Sequence, residues 1–268
     1  MDAGKSDISI VLVTRNSRSV LFDCLKSLEE NDEITKSPSS EWIIVDNNST
    51  DGSIEDVIKL YPSVKVIKNK ENLGFAKACN QGCKISSRGY ILFINTDTKI
   101  QQNAISKLYS YISKDNSIGV IGPRLIRKDE SIQKSVYPEP SLLTEIFKPF
   151  VKLTVSLKEN FYSENKCYDV NSLRGACFIV NRQIMEKAGY FDERYFFYLE
   201  ETDLFRQIRL GGNKICYLPY SRVYHYGGLG CDDKASFDKK KIYKESMKKY
   251  FEKNRNKFEN FIMDYILK

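Results

Sequence analysis

The residues best placed to do chemistry stand where short apolar runs stop. Ile91-Leu92-Phe93-Ile94 ends in Asn95-Thr96-Asp97-Thr98. An acid delivered at the carboxyl end of a buried strand lies where open α/β sheets bind ligands. Asp97 offers a hard oxygen to Mg²⁺ or Mn²⁺, shared with phosphate oxygens; such a cation offsets charge building on a nucleoside-diphosphate leaving group. A cap on the next helix is the plainer role for the same acid. His225, the only histidine in the chain, closes a second such run before Gly227-Gly228 and is a further candidate ligand, against a purely structural role. Glu200-Glu201-Thr202-Asp203 sets three acids at a helix start, where they complement the helix dipole. Adjacent carboxylates are costly unless a cation or a proton relieves them, and one of them could take a proton from an attacking hydroxyl.

Earlier stops repeat the pattern. Ile8 to Val13 ends in Thr14-Arg15-Asn16, Trp42 to Val45 in Asp46-Asn47-Asn48-Ser49, and Val64 to Ile67 leads into Asn72-Leu73-Gly74-Phe75. Thr14, Asn16, Asp46, Asn47 and Asn48 could hydrogen-bond a base and ribose, and Gly74 lets backbone approach a ligand closely. For Asp46 taken alone, a helix cap or an Asx turn is an equal account. Four such stops in register point to a site.

The elements that must position these residues alternate up to about residue 122. Val20, Leu21, Cys24, Leu25 and Leu28 recur at helical spacing after the first strand. Residues 31–40 read as a polar loop, Asp51-Gly52-Ser53 opens a helix, and Gly74 to Ile85 forms the next. Gly89-Tyr90 starts a fourth strand, and Ile100 to Ile112 reads as helix. These units predict an α/β fold, with a mostly parallel sheet and helices on both faces. The pattern breaks at Pro123. An irregular stretch to about Asp169 is expected to cover one edge of the sheet. Regularity returns with a strand at Ala176–Val180, helices near Arg182–Ala188 and Glu200–Leu210, and a strand at Lys214–Leu218.

With 268 residues, 41% of them hydrophobic, the chain can bury a full core as one large domain or as a domain plus an appendage. No run approaches the roughly 20 apolar residues of a membrane helix, and Met1 to Ser6 carries no apolar stretch of signal-peptide kind. None of the seven cysteines forms a C-x-x-C pair, and Cys79 and Cys83 read as one buried helix face; reduced thiols in the cytoplasm are expected. Between Lys234 and Lys268 eleven Lys and Arg face five acids, so this tail carries six of the seven net positive charges. A near-neutral remainder argues against a nucleic-acid-binding fold. Tyr243, Met247, Tyr250, Phe251, Phe258, Phe261, Ile262 and Tyr265 read as one helical stripe. Packing on the catalytic domain or on a second subunit is the first expectation, and contact with an anionic membrane surface the second.

Together, Val11-Leu12-Val13-Thr14-Arg15-Asn16, the run Trp42 to Ser53, Asn72 to Gly82 and Asn95-Thr96-Asp97-Thr98 resemble the amino half of family-2 glycosyltransferases of the A-type fold. Gly175 to Val180, Gly189 to Glu193, Glu200 to Leu204 and His225 to Gly228 resemble the bacterial rhamnosyltransferase-like branch. The resemblance spans residues 8–230 and implies a single Rossmann-like A-type domain. Its nucleotide-binding half would be 1–122 and its acceptor half 123–230, with 231–268 as a helical extension. It places Thr14, Asn16, Asp46, Asn47, Asn72, Lys77 and Asn95 around the nucleotide. Asp97 and His225 fall on the metal, Glu201 on the general base, and Arg174, Gly175, Glu200 and Asp203 on the acceptor and sugar side.

Two departures stand out. Asn95 replaces the first acid of the metal motif, and the base position, usually aspartate after glutamate, is Glu201 after Glu200. The implied reaction is a metal-dependent single displacement with inversion. The implied donor is dTDP-rhamnose, followed by UDP-galactose or UDP-glucose, and the acceptor a bacterial cell-surface glycan on a lipid diphosphate. A nucleotidyltransferase would want a glycine-rich basic loop where Thr14-Arg15-Asn16-Ser17 stands. A non-catalytic sugar-binding protein would not need Asp97, Glu201 and His225 together.

Overall fold

Apolar runs too short for helices and flanked by turn residues become buried strands, and the periodic segments between them become covering helices. The computed structural model describes residues 7–150, 154, 162–163, 166–227 and 238–267. Gly228, Lys234 and the expected boundary between residues 230 and 231 lie outside them. The first half runs β1 (Ile8–Thr14), α1 (Arg18–Asn31), β2 (Glu41–Asp46), α2 (Ser53–Leu60), β3 (Lys65–Lys68), α3 (Phe75–Ile85) and β4 (Tyr90–Ile94). Next come β5 (Thr98–Ile100), α4 (Ala104–Ile112), β6 (Ile118–Ile126), β7 (Ile132–Gln133), β8 (Val136–Tyr137) and α5 (Leu142–Ile146). The chain continues with β9 (Tyr168–Asp169), β10 (Ser172–Leu173), β11 (Cys177–Asn181), α6 (Arg182–Lys187), α7 (Glu200–Leu210), β12 (Lys214–His225), α8 (Lys239–Asn254) and α9 (Lys257–Ile266).

The main sheet is ordered β3-β2-β1-β4-β11-β6-β12-β5. β1, β2, β3 and β4 are parallel, β6 and β12 continue their direction, and β11 is inserted antiparallel between β4 and β6. Side chains alternate between faces along each strand. Ile10 and Leu12 of β1 enter one core with α1, α2 and α4, while Val11 enters the other with α3, α6 and α7. The carboxyl ends of β1, β2, β4 and β12 therefore share one edge, which bears the polar stops. Cys79 and Cys83 are buried on α3, as their spacing predicts.

Three expectations are corrected. The helix read from Ile100 begins at Ala104, because Thr98–Ile100 instead pairs with the end of β12 and Asn103 turns the chain at φ 54°. Pro123 does not end a strand: β6 runs through it, fully buried. Proline has no N–H for the ladder, and β12 accommodates this with a bulge between Leu218 and Arg222 where it faces Pro123 and Arg124. The irregular stretch does extend the sheet, with β9 on β12 and β7 on β6, but β8 pairs with β10 in a separate small sheet.

The tail stripe is not one face. α8 ends at Asn254, and Asn256 starts α9 by accepting the Glu259 N–H at 2.9 Å. Met247, Tyr250 and Phe251 of α8 and Met263 of α9 are buried around Tyr195, against Leu142 and Leu199. Lys253 donates to Asp203 at 2.6 Å and to Asp192 at 3.0 Å, and Arg255 to Glu139 at 2.8 Å, so α8 is fastened to the domain. Phe258, Phe261 and Tyr265 are left outside that packing. No helix among the described residues is long and apolar enough to cross a membrane.

Candidate active site

A cavity of about 530 Å³ opens at the shared strand edge. Thr14 closes β1, Asn47 follows β2, Asn95 and Asp97 follow β4, and His225 closes β12; all line it, with Asn72 and Gly74 from the turn before α3. Arg174 and Gly175 enter where the chain runs into β11, and Glu200 and Glu201 where α7 begins. No cysteine lines the cavity among the described residues.

The turn into α7 is shaped by unusual backbone. Tyr198 and Leu199 are both left-handed, at φ 72° and 68°, a conformation costing about 1–3 kcal/mol per non-glycine residue. The segment before them docks on α3: Asn80 exchanges two hydrogen bonds with the backbone of Phe191, and Phe75 N–H donates to Phe196 O at 2.9 Å. Gly74, at φ 83°, permits this, since a Cβ there would fall 2.6 Å from Phe196 O. The result is an aromatic wall of Phe196, Phe197 and Tyr198 beside the two glutamates.

Asp97 and His225 are neighbours because β5 and β12 pair His225 with Thr98. His225 Nε2 lies 3.4 Å from Asp97 Oδ1, and both side chains are buried. On its other side His225 Nδ1 lies 2.7 Å from Gln133 Oε1. With that oxygen accepting, Nδ1 carries a proton, and in the neutral ring the Nε2 lone pair faces Asp97. Two ligands about 2.1 Å from one octahedral cation stand about 3 Å apart, so this nitrogen and carboxylate fit a shared divalent ion. Among the described residues no third His, Cys, Asp or Glu completes a cluster. Two protein donors, with the remaining positions left to phosphate and water, is the habit of Mg²⁺ and Mn²⁺ in phosphate chemistry.

The glutamates are differentiated by their surroundings. Burial pushes the Glu200 carboxyl well above its ordinary range, and the Glu201 charge pushes it further. Burial also raises Glu201, but backbone N–H groups, that of Gly175 among them, and the Arg174 guanidinium hold its charged form. Gly175 N–H donates to Glu201 Oε1 at 3.3 Å, and a Cβ at position 175 would stand 3.1 Å from that oxygen. Arg174 is braced by Tyr137, to whose hydroxyl it donates, and by Lys134 O at 3.0 Å. Glu201 therefore ionises first and Glu200 keeps its proton longer. Oε2 of each is buried with no hydrogen-bond partner, a costly state that a bound hydroxyl would relieve.

Of the fourteen residues expected at a site, four stand elsewhere. Asn16 accepts from Thr50 N–H at 2.8 Å and shapes the loop after β2. Asp46 is buried and receives Ser49 N–H at 2.9 Å, an Asx turn. Lys77 is exposed on the outer stripe of α3. Asp203 is buried against Lys253 and Asn254, an anchor for α8 rather than an acceptor contact. The sequence reading missed Gln133, which carries no local signal, and the aromatic wall, whose run Tyr195-Phe196-Phe197-Tyr198 stood in view before the acids. It also missed Lys239 and Ile242, by which α8 reaches the cavity mouth.

Residues 9–189 match Glycosyl transferase family 2, and the chain belongs to that family. An N-acetylglucosaminyl-diphospho-decaprenol L-rhamnosyltransferase of Mycobacterium tuberculosis is 28% identical over 203 residues, 69% of this chain and 66% of that protein. A poly(ribitol-phosphate) beta-glucosyltransferase of Bacillus spizizenii is 25% identical over 228 residues, 81% of this chain and 35% of that protein. The chain thus spans from about a third to just under two thirds of these relatives' lengths. Among solved structures, GalNAc-T7 with UDP, GalNAc and Mn²⁺ aligns at TM-score 0.65 and 19% identity, over 84% of this chain and 44% of that one. A mannosyltransferase of Pyrobaculum calidifontis in complex with GDP-Man and Mn²⁺ aligns at 0.60 and 15%, over 83% and 57%. The fold shared with them is the A-type glycosyltransferase fold.

Proposed function

We propose that this family member is an inverting, metal-dependent hexosyltransferase. In this reading it moves rhamnose from dTDP-rhamnose to a hydroxyl of a bacterial cell-surface glycan or its lipid-linked precursor. The observation that carries the reading is that the Glu201 carboxylate and the neighbouring Asp97 and His225 side chains line one cavity at the strand edge, where they suit a base and a divalent-ion site. Thr14, Asn47, Asn72 and Asn95 are the groups available to hold the nucleotide, residues 1–122 forming that half of the domain. Glu201 takes the proton of the acceptor hydroxyl as its oxygen attacks the anomeric carbon. Glu200, protonated, donates to a sugar or acceptor oxygen, and Arg174 keeps Glu201 charged and in place. The aromatic wall excludes water from the donor. A bound cation supplies positive charge where the diphosphate departs.

Rhamnose is favoured by the similarity to the mycobacterial rhamnosyltransferase, and a divalent ion by the Mn²⁺ in both solved neighbours. The six cysteines free of disulfides among the described residues favour a reducing compartment, which supports a cytoplasmic reading. The test is a panel of nucleotide sugars with and without Mn²⁺, read by donor hydrolysis or transfer. Turnover of dTDP-rhamnose that stops on chelation and gives inverted product is expected. Turnover confined to UDP-glucose or UDP-galactose would move the donor. Activity requiring a nucleoside triphosphate, or none with any sugar, would overturn the reading.

A further inference from the structure

The exposed apolar surface is unevenly placed. Of fifteen large hydrophobic side chains exposed among the described residues, eight lie in the two short stretches 143–150 and 258–266. Scattered exposed apolar residues need no explanation, but a contiguous patch does. α5 packs against α9, which brings the two stretches side by side. On α9 the outward row is Phe258, Phe261 and Tyr265, exposed to 70%, 75% and 78%, while Met263 on the opposite side is buried. Beside it, a groove of about 410 Å³ between the first turns of α8 and the end of α9 is lined by Lys240, Lys241, Lys244 and Lys248, with Leu267, Asp238 and Glu245. Lysines 240, 244 and 248 follow one another at single-turn spacing on one helix face.

We propose that this face docks on an anionic lipid bilayer. Leu143, Phe147, Phe150, Phe258, Phe261 and Tyr265 enter the headgroup–acyl boundary, and the lysine row meets lipid phosphates. Aromatic side chains beside lysines are the composition of helices that lie in an interface rather than cross it. A second copy fits less well, because a two-fold contact returns each patch against itself and sets the lysine rows face to face. Anionic headgroups complement them. The first turn of α8 also supplies Lys239 and Ile242 to the mouth of the cavity, so a docked molecule holds its active site next to the bilayer. The surface does not depend on the sugar-transfer reading, since lipid binding is measured with neither donor nor acceptor.

The experiment is sedimentation of the full chain with vesicles of phosphatidylcholine containing about 30 mol% phosphatidylglycerol, against pure phosphatidylcholine. Binding to the anionic vesicles at low salt is expected, with at least tenfold weaker binding to the neutral ones and a steep loss as salt screens the charges. Each lysine near such a surface is worth about a fivefold factor; with Lys248 already shared with Asp264 at 3.2 Å, the K240Q/K241Q/K244Q/K248Q variant should lose on the order of 100-fold, from the other three lysines. Phe258→Ser with Phe261→Ser should lose at least tenfold at an unchanged melting temperature, because both side chains already face solvent. Three results would overturn the proposal: no sedimentation of the wild type with anionic vesicles, undiminished binding by the phenylalanine double variant, or a dimer that this variant makes monomeric and that never binds vesicles.

Discussion

Exchanging each member of the glutamate pair for glutamine separates the base from its neighbour. Glutamine at 201 keeps the shape, and its carbonyl oxygen still accepts the Gly175 N–H made at 3.3 Å in the wild type. Only proton acceptance is lost. General-base removal costs roughly 10²–10⁴ in rate, or about 3–5 kcal/mol of barrier, and donor affinity should stay within about threefold by the same reasoning. Because burial raises the Glu201 carboxyl above its ordinary value, the acid-side fall in wild-type kcat should set in above the pH at which an ordinary glutamate titrates. Glu200→Gln has the opposite signature. A carboxyl raised on folding holds a proton that the unfolded chain has released, so stability falls as pH rises from the ordinary glutamate value through the raised one. Replacing Glu200 removes that loss. The variant should be more stable than wild type at neutral and alkaline pH. Turnover from about pH 5 to about pH 9, paired with thermal melts across the same range, reads both effects. A wild-type kcat that is flat across the acid range would refute the reasoning. So would a near-silent Glu201→Gln beside a crippling Glu200→Gln, which would move the base one residue back.

Other perturbations test the rest of the site. Asp97→Ala should reduce transfer at least about 100-fold and remove the Mn²⁺ dependence of nucleoside-diphosphate binding by calorimetry, with the fold intact because Tyr226 N–H bonds the Asp97 backbone oxygen; a fully active variant would sink the metal assignment. Gln133→Leu should weaken Mn²⁺-dependent donor binding about 10- to 100-fold, with Gln133→Glu restoring it, because either oxygen can accept from His225 Nδ1; equal binding by all three would leave Gln133 without a positioning role. Glu41 tests the frame at the far end of the strands. Its burial would raise its carboxyl, but Lys65, the Ser9 hydroxyl and the Ser87 N–H outweigh that and hold it at about 2. Its stabilisation is therefore complete above the ordinary glutamate value and lost as pH falls from there towards about 2. Glu41→Gln should cost about 2 kcal/mol at neutral pH by denaturant melts, flatten that acid slope and leave kcat unchanged.

The sequence displays what repeats and hides what depends on distant partners. β1, β2, β3 and β4 were legible because each is a short apolar run ended by turn-forming residues. Asp97 and His225 were legible as strand-end residues for the same reason. The antiparallel entry of β11 between β4 and β6 was not, since nothing local to Cys177–Asn181 specifies its neighbours. Asn16 and Asp46 share the polarity of true cavity residues, but their hydrogen bonds go to Thr50 and Ser49, and polarity alone does not distinguish a ligand group from a loop brace. Asp203 looks like a third acid of the site until Lys253, fifty residues later, folds back onto it. The roles of Glu200 and Glu201 turn on the same point. Side by side in sequence they are the same chemical group at the same helix start. Gly175 and Arg174 break the equivalence, and they stand on another segment, brought there by β11 and braced by Tyr137. A helix-start pair of acids thus becomes one charged base and one proton holder only through the tertiary fold, so the charge order of the pair tests the fold as much as the chemistry.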